Sequence, residues 1–326
     1  MKTVSRDAIN RRNRYAPPQT TGKRVTPQPR DVEIFRLLDR HGPLPTRYLY
    51  HLTKHIARDE TGLCKRLCDL YNEHNTPAGG PYLARPAKQF DAYEARYQLL
   101  VYDNGPNAHQ VLETQGFLAK APRPREQMQF HHRFMVSCLL ASIEIACREN
   151  GLRFIHEGEI LADAPNKHLE IPCSISHTFR TGKTDHYDRP LIPDGIFGIE
   201  YVDGKRLYFL LEADRDQEPV TRTSFELTSY LRKLLQYREV VGRGIYKDFF
   251  GIDAGMVVLH VTTNARHMQG MVDLMAEISG GRGSNYQLFK TASDFGDPFR
   301  VRGPIEDILT APWHRAVSPP MYLLAP

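Results

Sequence analysis

Between Leu191 and Asp214 two apolar runs, Leu191–Tyr201 and Leu207–Ala213, are separated by a turn containing Asp203-Gly204-Lys205. Apolar runs joined through Asp-Gly specify a β-hairpin, and strands this apolar belong inside a layered domain. The hairpin nevertheless carries acids at Asp194, Glu212 and Asp214. A carboxylate in a run such as Leu207-Tyr208-Phe209-Leu210-Leu211-Glu212 needs a partner or an ion to be buried. Pro193 predicts a bend that turns Asp194 toward a cleft. A helix expected from about Ser224 to Val241 then carries Lys233 and Tyr237. Acids at the ends of neighbouring strands, followed by a helical lysine, suit magnesium-dependent phosphodiester cleavage. There carboxylates hold magnesium or manganese and the lysine orients or activates water. A decayed copy of such a site has the same outline, and a structural salt bridge from Glu212 to Arg232 or Lys233 accounts for the same residues.

The surrounding periodicity builds a domain over residues 127–326. A helix from about Gln127 to Asn150 places Phe134, Met135, Cys138, Leu139, Ile143 and Ala146 inward. Strand-like runs follow at Phe154–Leu161, in the two halves of the hairpin, at Met256–Thr262 and near Tyr286–Lys290, with a helix at about His267–Ile278. A polar excursion from Asp163 to Asp188 separates the first two runs and is long for a connection. The order is α/β with a mixed sheet. Gly280-Gly281-Arg282-Gly283 lacks the lysine and spacing of a phosphate-binding loop and reads as a turn.

Residues 31–117 read differently. One helix has Val32, Ile34, Phe35, Leu37 and Leu38 on a face and stops at His41-Gly42-Pro43; a short second helix starts at Thr46. A third, Asp59 to about His74, turns Leu63, Leu67 and Leu70 inward and shows Arg58, Lys65 and Arg66. Tyr82–Ala84 and Tyr97–Tyr102 form a ribbon whose loop carries Arg85, Lys88 and Arg96, and Pro106 to about Gly116 closes the unit. This is the order of a winged helix-turn-helix domain, in which the third helix enters the major groove and the wing touches backbone. The expected DNA contacts are Arg58, Lys65 and Arg66 on the helix and Arg85 and Lys88 in the wing. Cys64 and Cys68 lack two further ligands at zinc spacing and read as packing residues.

Charge points the same way. Residues 1–30 hold eight Lys and Arg against Asp7 alone, although the chain's net charge is only +5. Such an arm is expected to be disordered and to reach phosphates through Arg11, Arg12 and Arg14, with a solubilising leader as the bland alternative. Residues 118–126, with two prolines and three cations, read as a linker. No run of eighteen apolar residues and no secretory signal occurs, and five cysteines without paired spacing suit a reducing cytoplasm.

Three segments in this order, Leu-Ile-Pro-Asp-Gly-Ile-Phe (191–197), Phe-Leu-Leu-Glu-Ala-Asp-Arg (209–215) and Tyr-Leu-Arg-Lys-Leu-Leu-Gln-Tyr (230–237), resemble the replication-relaxation family. The resemblance covers roughly residues 30–265. It implies proteins of plasmids and other mobile elements that pair a winged helix with a PD-(D/E)XK, restriction-endonuclease-like α/β domain. It would make Asp194 and Glu212 metal ligands, with Glu144 on the first helix of that domain as a further acid. The usual lysine two residues after the glutamate is replaced by Asp214; Lys233 on the next helix stands in for it. Lys233 and Tyr237 resemble the Gln-x-x-x-Tyr signature of RecB-like nucleases, with Lys for Gln. The expected function is double-stranded DNA binding with a degenerate nuclease-like domain. The alternatives are an active endonuclease using Mg2+ or Mn2+ with Asp194, Glu212 and Lys233, and a winged-helix transcriptional regulator. A homodimer and protein partners of the mobile element accompany these expectations; a membrane does not.

Overall fold

The apolar stripe Ile34, Phe35, Leu37 and Leu38 is wholly buried along α1 (Pro29–His41), which starts with proline at its first position, where no N–H is needed. In this computed structural model residues 19–90, 99–117, 130–296 and 300–324 are described. Arg11, Arg12, Arg14, Arg96 and the linker 118–126 lie outside them. The chain divides into two units, residues 1–145 with 297–305, and residues 146–296 with 306–326.

In the first unit α1 is followed by β1 (Leu44–Pro45), α2 (Thr46–Thr53), α3 (Glu60–Asn72), β2 (Leu83–Ala84), β3 (Val101–Asn104) and α4 (Pro106–Thr114). The strands form an antiparallel sheet in the order β1-β3-β2. The helices fall near where periodicity places them, the second ribbon strand runs Val101–Asn104 where the sequence places Tyr97–Tyr102 (97 and 98 lie outside the described residues), and the order is compatible with a winged helix-turn-helix. The two-residue β1 is too short to show a period. Gly42, at φ 91°, ends α1 and leaves no room for a side chain, since a Cβ there would lie 2.8 Å from Ser137 Oγ. That hydroxyl belongs to α5 (Phe130–Glu149) and donates to His41 O at 2.5 Å. Residues 130–145 of α5 therefore cluster with the first unit, whereas the sequence assigned the whole helix to the second domain.

Two of the five cations expected to meet DNA from the third helix and the wing are instead used inside this unit. Asp31 has no exposed surface; it accepts the Gln28 N–H at 2.8 Å and is met by Arg66, whose Nε lies 3.0 Å away. Arg66 also reaches Thr26 O at 2.8 Å. Arg85 lies over the Tyr71 ring at 4.1 Å and donates to Tyr102 Oη at 2.6 Å. Arg58, Lys65 and Lys88 are exposed. Residues 19–28, read as part of a disordered arm, pack on α3. Thr20 and Thr21 donate to Glu73, and Val25 is 1% exposed.

In the second unit the sheet runs β10-β9-β8-β7-β4. These are β4 (Arg153–Ile155), β7 (Gly195–Glu200), β8 (Arg206–Asp214), β9 (Met256–Thr262) and β10 (Gln287–Thr291). Pairing is antiparallel from β4 to β8 and parallel from β8 to β10, the mixed sheet expected. The predicted hairpin pairs Gly195 with Leu211 through Glu200 with Arg206, and Gly204 turns it at φ 79°. The remaining helices are α6 (Glu157–Asp163), α7 (Tyr230–Gly242), α8 (Ile245–Phe250) and α9 (Ala265–Ile278). The first strand-like run is cut short because His156 and Glu159 cap α6. The polar excursion is itself a hairpin, β5 (Ser174–Thr178) with β6 (Thr184–Asp188). Trp313 is completely buried, with its indole N–H on Ile308 O at 3.0 Å. No helix among the described residues is long and apolar enough to cross a membrane.

Because Asp31 is buried and Arg66 is its cationic partner, Arg66→Ala should lower stability by about 3 kcal/mol. Chemical denaturation of the full chain measures this; unchanged stability would return Arg66 to the set of free surface cations.

Candidate functional site

Register places the acids. Gly195 pairs with Leu211, so Asp194 stands at the mouth of the hairpin beside Glu212 and Ala213. Its N–H donates to Leu211 O at 3.0 Å, and its Oδ2 accepts the Ala213 N–H at 2.7 Å. Side chains alternate along a strand, so Leu210, Glu212 and Asp214 share one face of β8. Leu210 belongs to the hydrophobic core that also contains Tyr230, Leu234 and Tyr237 of α7. Glu212 therefore points into the apolar interior, only 3% exposed.

Both of its carboxylate oxygens are engaged. Oε1 pairs with Lys233 Nζ, and Oε2 accepts the Tyr237 hydroxyl at 2.6 Å. Lys233 and Tyr237, one helical turn apart, grip the same carboxylate from one face of α7. The ammonium also meets Glu218 Oε1 at 3.0 Å, while Glu218 Oε2 is buried without a hydrogen-bond partner. Burial pushes the Glu212 carboxyl up to about 7; Lys233 opposes the shift and Asp194 adds to it. For Lys233 burial works against the charge, but Glu212, Glu218 and Asp194 outweigh it and hold the ammonium above the usual lysine range.

Two further polar groups lie on the same face. His260, opposite Glu212 on β9, is fully buried and pushed down to about 3 by burial. The neutral ring accepts the Tyr230 hydroxyl at Nδ1 (2.8 Å) and donates from Nε2 to Gln287 Oε1 (3.1 Å). At the strand end, His267 of α9 lies between two carboxylates, with Nε2 2.8 Å from Asp214 and Nδ1 3.1 Å from Asp216. Two carboxylates can be satisfied only if both ring nitrogens carry protons, which is the imidazolium form. Asp216 adopts φ 60°, an uncommon conformation for a residue with a side chain, and its other oxygen takes Asn264 Nδ2 at 3.1 Å.

The structure thus brings together Asp194, Glu212, Lys233 and Tyr237. Glu144 belongs to the first unit, where it meets His41 Nε2 at 2.7 Å and Arg40 Nη1 at 3.4 Å. Sequence reasoning missed Glu218, His260 and His267. His260 carried a usable signal, a polar residue inside the apolar run Met256–Thr262, the same signal that singled out Glu212. Glu218 and His267 carried none, being polar residues next to loop and helix ends.

Magnesium or manganese would take about six oxygen ligands. Among the described residues no group of three or more His, Cys, Asp and Glu side chains is disposed to hold a metal ion. Glu212 has both oxygens committed and Asp194 has one on backbone, so the residues present do not fit the ion that the nuclease resemblance implies.

His267 makes a pH prediction. Its hydrogen bond to Asp214 raises it above its ordinary value of 6.5, partial desolvation opposing and the charges of Asp214, Asp216 and Glu218 adding. A raised folded value means that its stabilisation is complete below about pH 6.5 and is lost as pH rises through the raised value. Melting temperature should therefore fall from about pH 6 to about pH 9 more steeply in the wild type than in His267→Gln. Parallel curves would show that His267 is not held as an imidazolium.

No curated protein and no solved structure matches the chain. The sequence profile of the replication-relaxation family matches residues 35–252, more than half of the chain and the span that carries Asp194, Glu212, Lys233 and Tyr237. The chain belongs to the replication-relaxation family.

Proposed function

We propose that this protein binds double-stranded DNA of a plasmid or other mobile element through a winged helix in its first unit, and that its nuclease-like second unit binds rather than cleaves. The observation that carries the first half is the cationic outer face of α3. Arg58 precedes the helix and Lys65 lies on it, both exposed, beside an antiparallel ribbon that presents Lys88. A helix and ribbon so arranged suit the major groove and the flanking backbone. Family membership supports the substrate, since replication and relaxation are transactions of DNA. Arg66 and Arg85 drop out of the contact set because their guanidinium groups are committed to Asp31 and Tyr102.

Support for the second half is the saturation of Glu212 by Lys233 and Tyr237, together with Asp214 where the nuclease lysine usually stands. One observation favours the rival, an active endonuclease: Asp194 and Glu212 occupy adjacent strand ends, the disposition that such an enzyme needs.

Supercoiled and linear DNA incubated with the protein in Mg2+ or Mn2+ should stay intact, as it should with Asp194→Ala and Glu212→Ala. Cleavage by the wild type that both variants lose would establish the enzyme and sink the binding-only reading. Binding should weaken steeply with salt, its log–log slope being about −0.9 per phosphate neutralised. Arg58→Ala and Lys65→Ala should each flatten that slope by about one unit and weaken binding without changing the melting temperature. Removing residues 1–18, with Arg11, Arg12 and Arg14, should flatten it further. Unaltered slopes in all three variants would move the DNA contact elsewhere.

A further inference from the structure

We infer that the Lys233 ammonium is the resident cation of the second unit's acidic site, occupying the place of a divalent metal and closing the β8–α7 connection over it. The inference rests on reading that unit as nuclease-like, but concerns this chain's own residues.

The geometry carries it. A metal drawn to the hairpin mouth would have to share Glu212, the most buried of its acids. That position is filled: Nζ of Lys233 pairs with Glu212 Oε1 and Glu218 Oε1, so one positive group bridges a strand carboxylate and a connection carboxylate. An incoming divalent ion would meet an ammonium within contact distance, and like charges so close in a poorly hydrated interior repel strongly. Lysine is held in register by its helix. Ser229 accepts the Arg232 N–H to cap α7, and Tyr237, one turn beyond Lys233, anchors the second oxygen of Glu212. The lysine chain therefore cannot swing aside without taking the cation from two carboxylates.

Glu218 gives the arrangement its second function. It lies in the connection between β8 and α7 and is reached by no strand hydrogen bond of the sheet, yet the ammonium ties it to Glu212. The same connection is tied again by Asp216 to His267 and Asn264. With the ammonium removed, the two glutamate oxygens that it bridges lose the cation between them, which opens the place to a hard divalent cation.

The test uses the full chain and Mn2+ alone, without DNA, followed by calorimetry and by loss of the free-ion EPR signal. Wild type, Glu212→Gln and Glu218→Gln should give superimposable isotherms. Lys233→Met should gain one Mn2+ site per chain, and the double variant Lys233→Met/Glu212→Gln should lose it. A wild-type Mn2+ site that vanishes in Glu212→Gln or Glu218→Gln would overturn the inference. So would a folded Lys233→Met, verified by circular dichroism, that gains no site. Should Lys233→Met fail to fold, the wild-type and Glu218→Gln isotherms decide: superposition supports the inference and loss of a site overturns it. Because no DNA is present, failure here leaves the DNA-binding assays untouched, and failure of those assays leaves this measurement intact.

Discussion

A carboxylate placed inside an apolar strand must be partnered, neutralised or bound to an ion, and the second unit is arranged around the first of these outcomes. Glu212 lies at the inner end of β8 with its charge facing the helix α7 rather than water. Removing one partner from such a pair typically costs about 3–5 kcal/mol, because the other charge is left buried. That penalty fixes the register of α7 on the sheet. Lys233 and Tyr237 must both face Glu212, which sets the helix's rotation and brings Tyr230 against His260. The neutral histidine then passes the hydrogen-bond chain to Gln287 on the outermost parallel strand. Polar satisfaction thus runs from β8 through β9 to β10 on one face, while Phe154, Phe197 and Phe209 stack on the other.

The same economy of charge governs the first unit. Asp31 and Glu144 are buried acids, the first met by Arg66 and the second by Arg40 and the His41 ring. Arg66 is drawn inward by Asp31, and Arg85 is committed to Tyr71 and Tyr102, so the surface left for a nucleic acid is narrower than the cationic count of α3 and its ribbon implies. Adjacent cations on a helix point to different faces: Lys65 is exposed, and its neighbour Arg66 is structural.

Most of the fold was legible because it rests on periodicity and turn chemistry. The Asp203-Gly204 hairpin, the stripe of α1 and the run Met256–Thr262 each specify their element locally. What escaped detection depends on contacts distant in the chain. Whether α5 belongs with the first or second unit is decided by Ser137 meeting His41, which no local pattern announces. The packing of residues 19–28 depends on Glu73, and the excursion 163–188 hides a hairpin whose strands are too polar to show an apolar alternation. At the site, Asp194, Glu212, Lys233 and Tyr237 were legible because an acid in an apolar run demands an explanation. Glu218 was not, since a glutamate in a polar connection demands none until the ammonium is seen beside it.

The account turns on what stands between the carboxylates. Crystals of the full chain grown or soaked in excess Mn2+, with anomalous diffraction collected at the manganese edge, would test it most directly. The account predicts no manganese peak at Asp194, Glu212 and Glu218, with Lys233 Nζ remaining between the two glutamates. A manganese peak coordinated by Asp194 and Glu212, with Lys233 displaced, would contradict it.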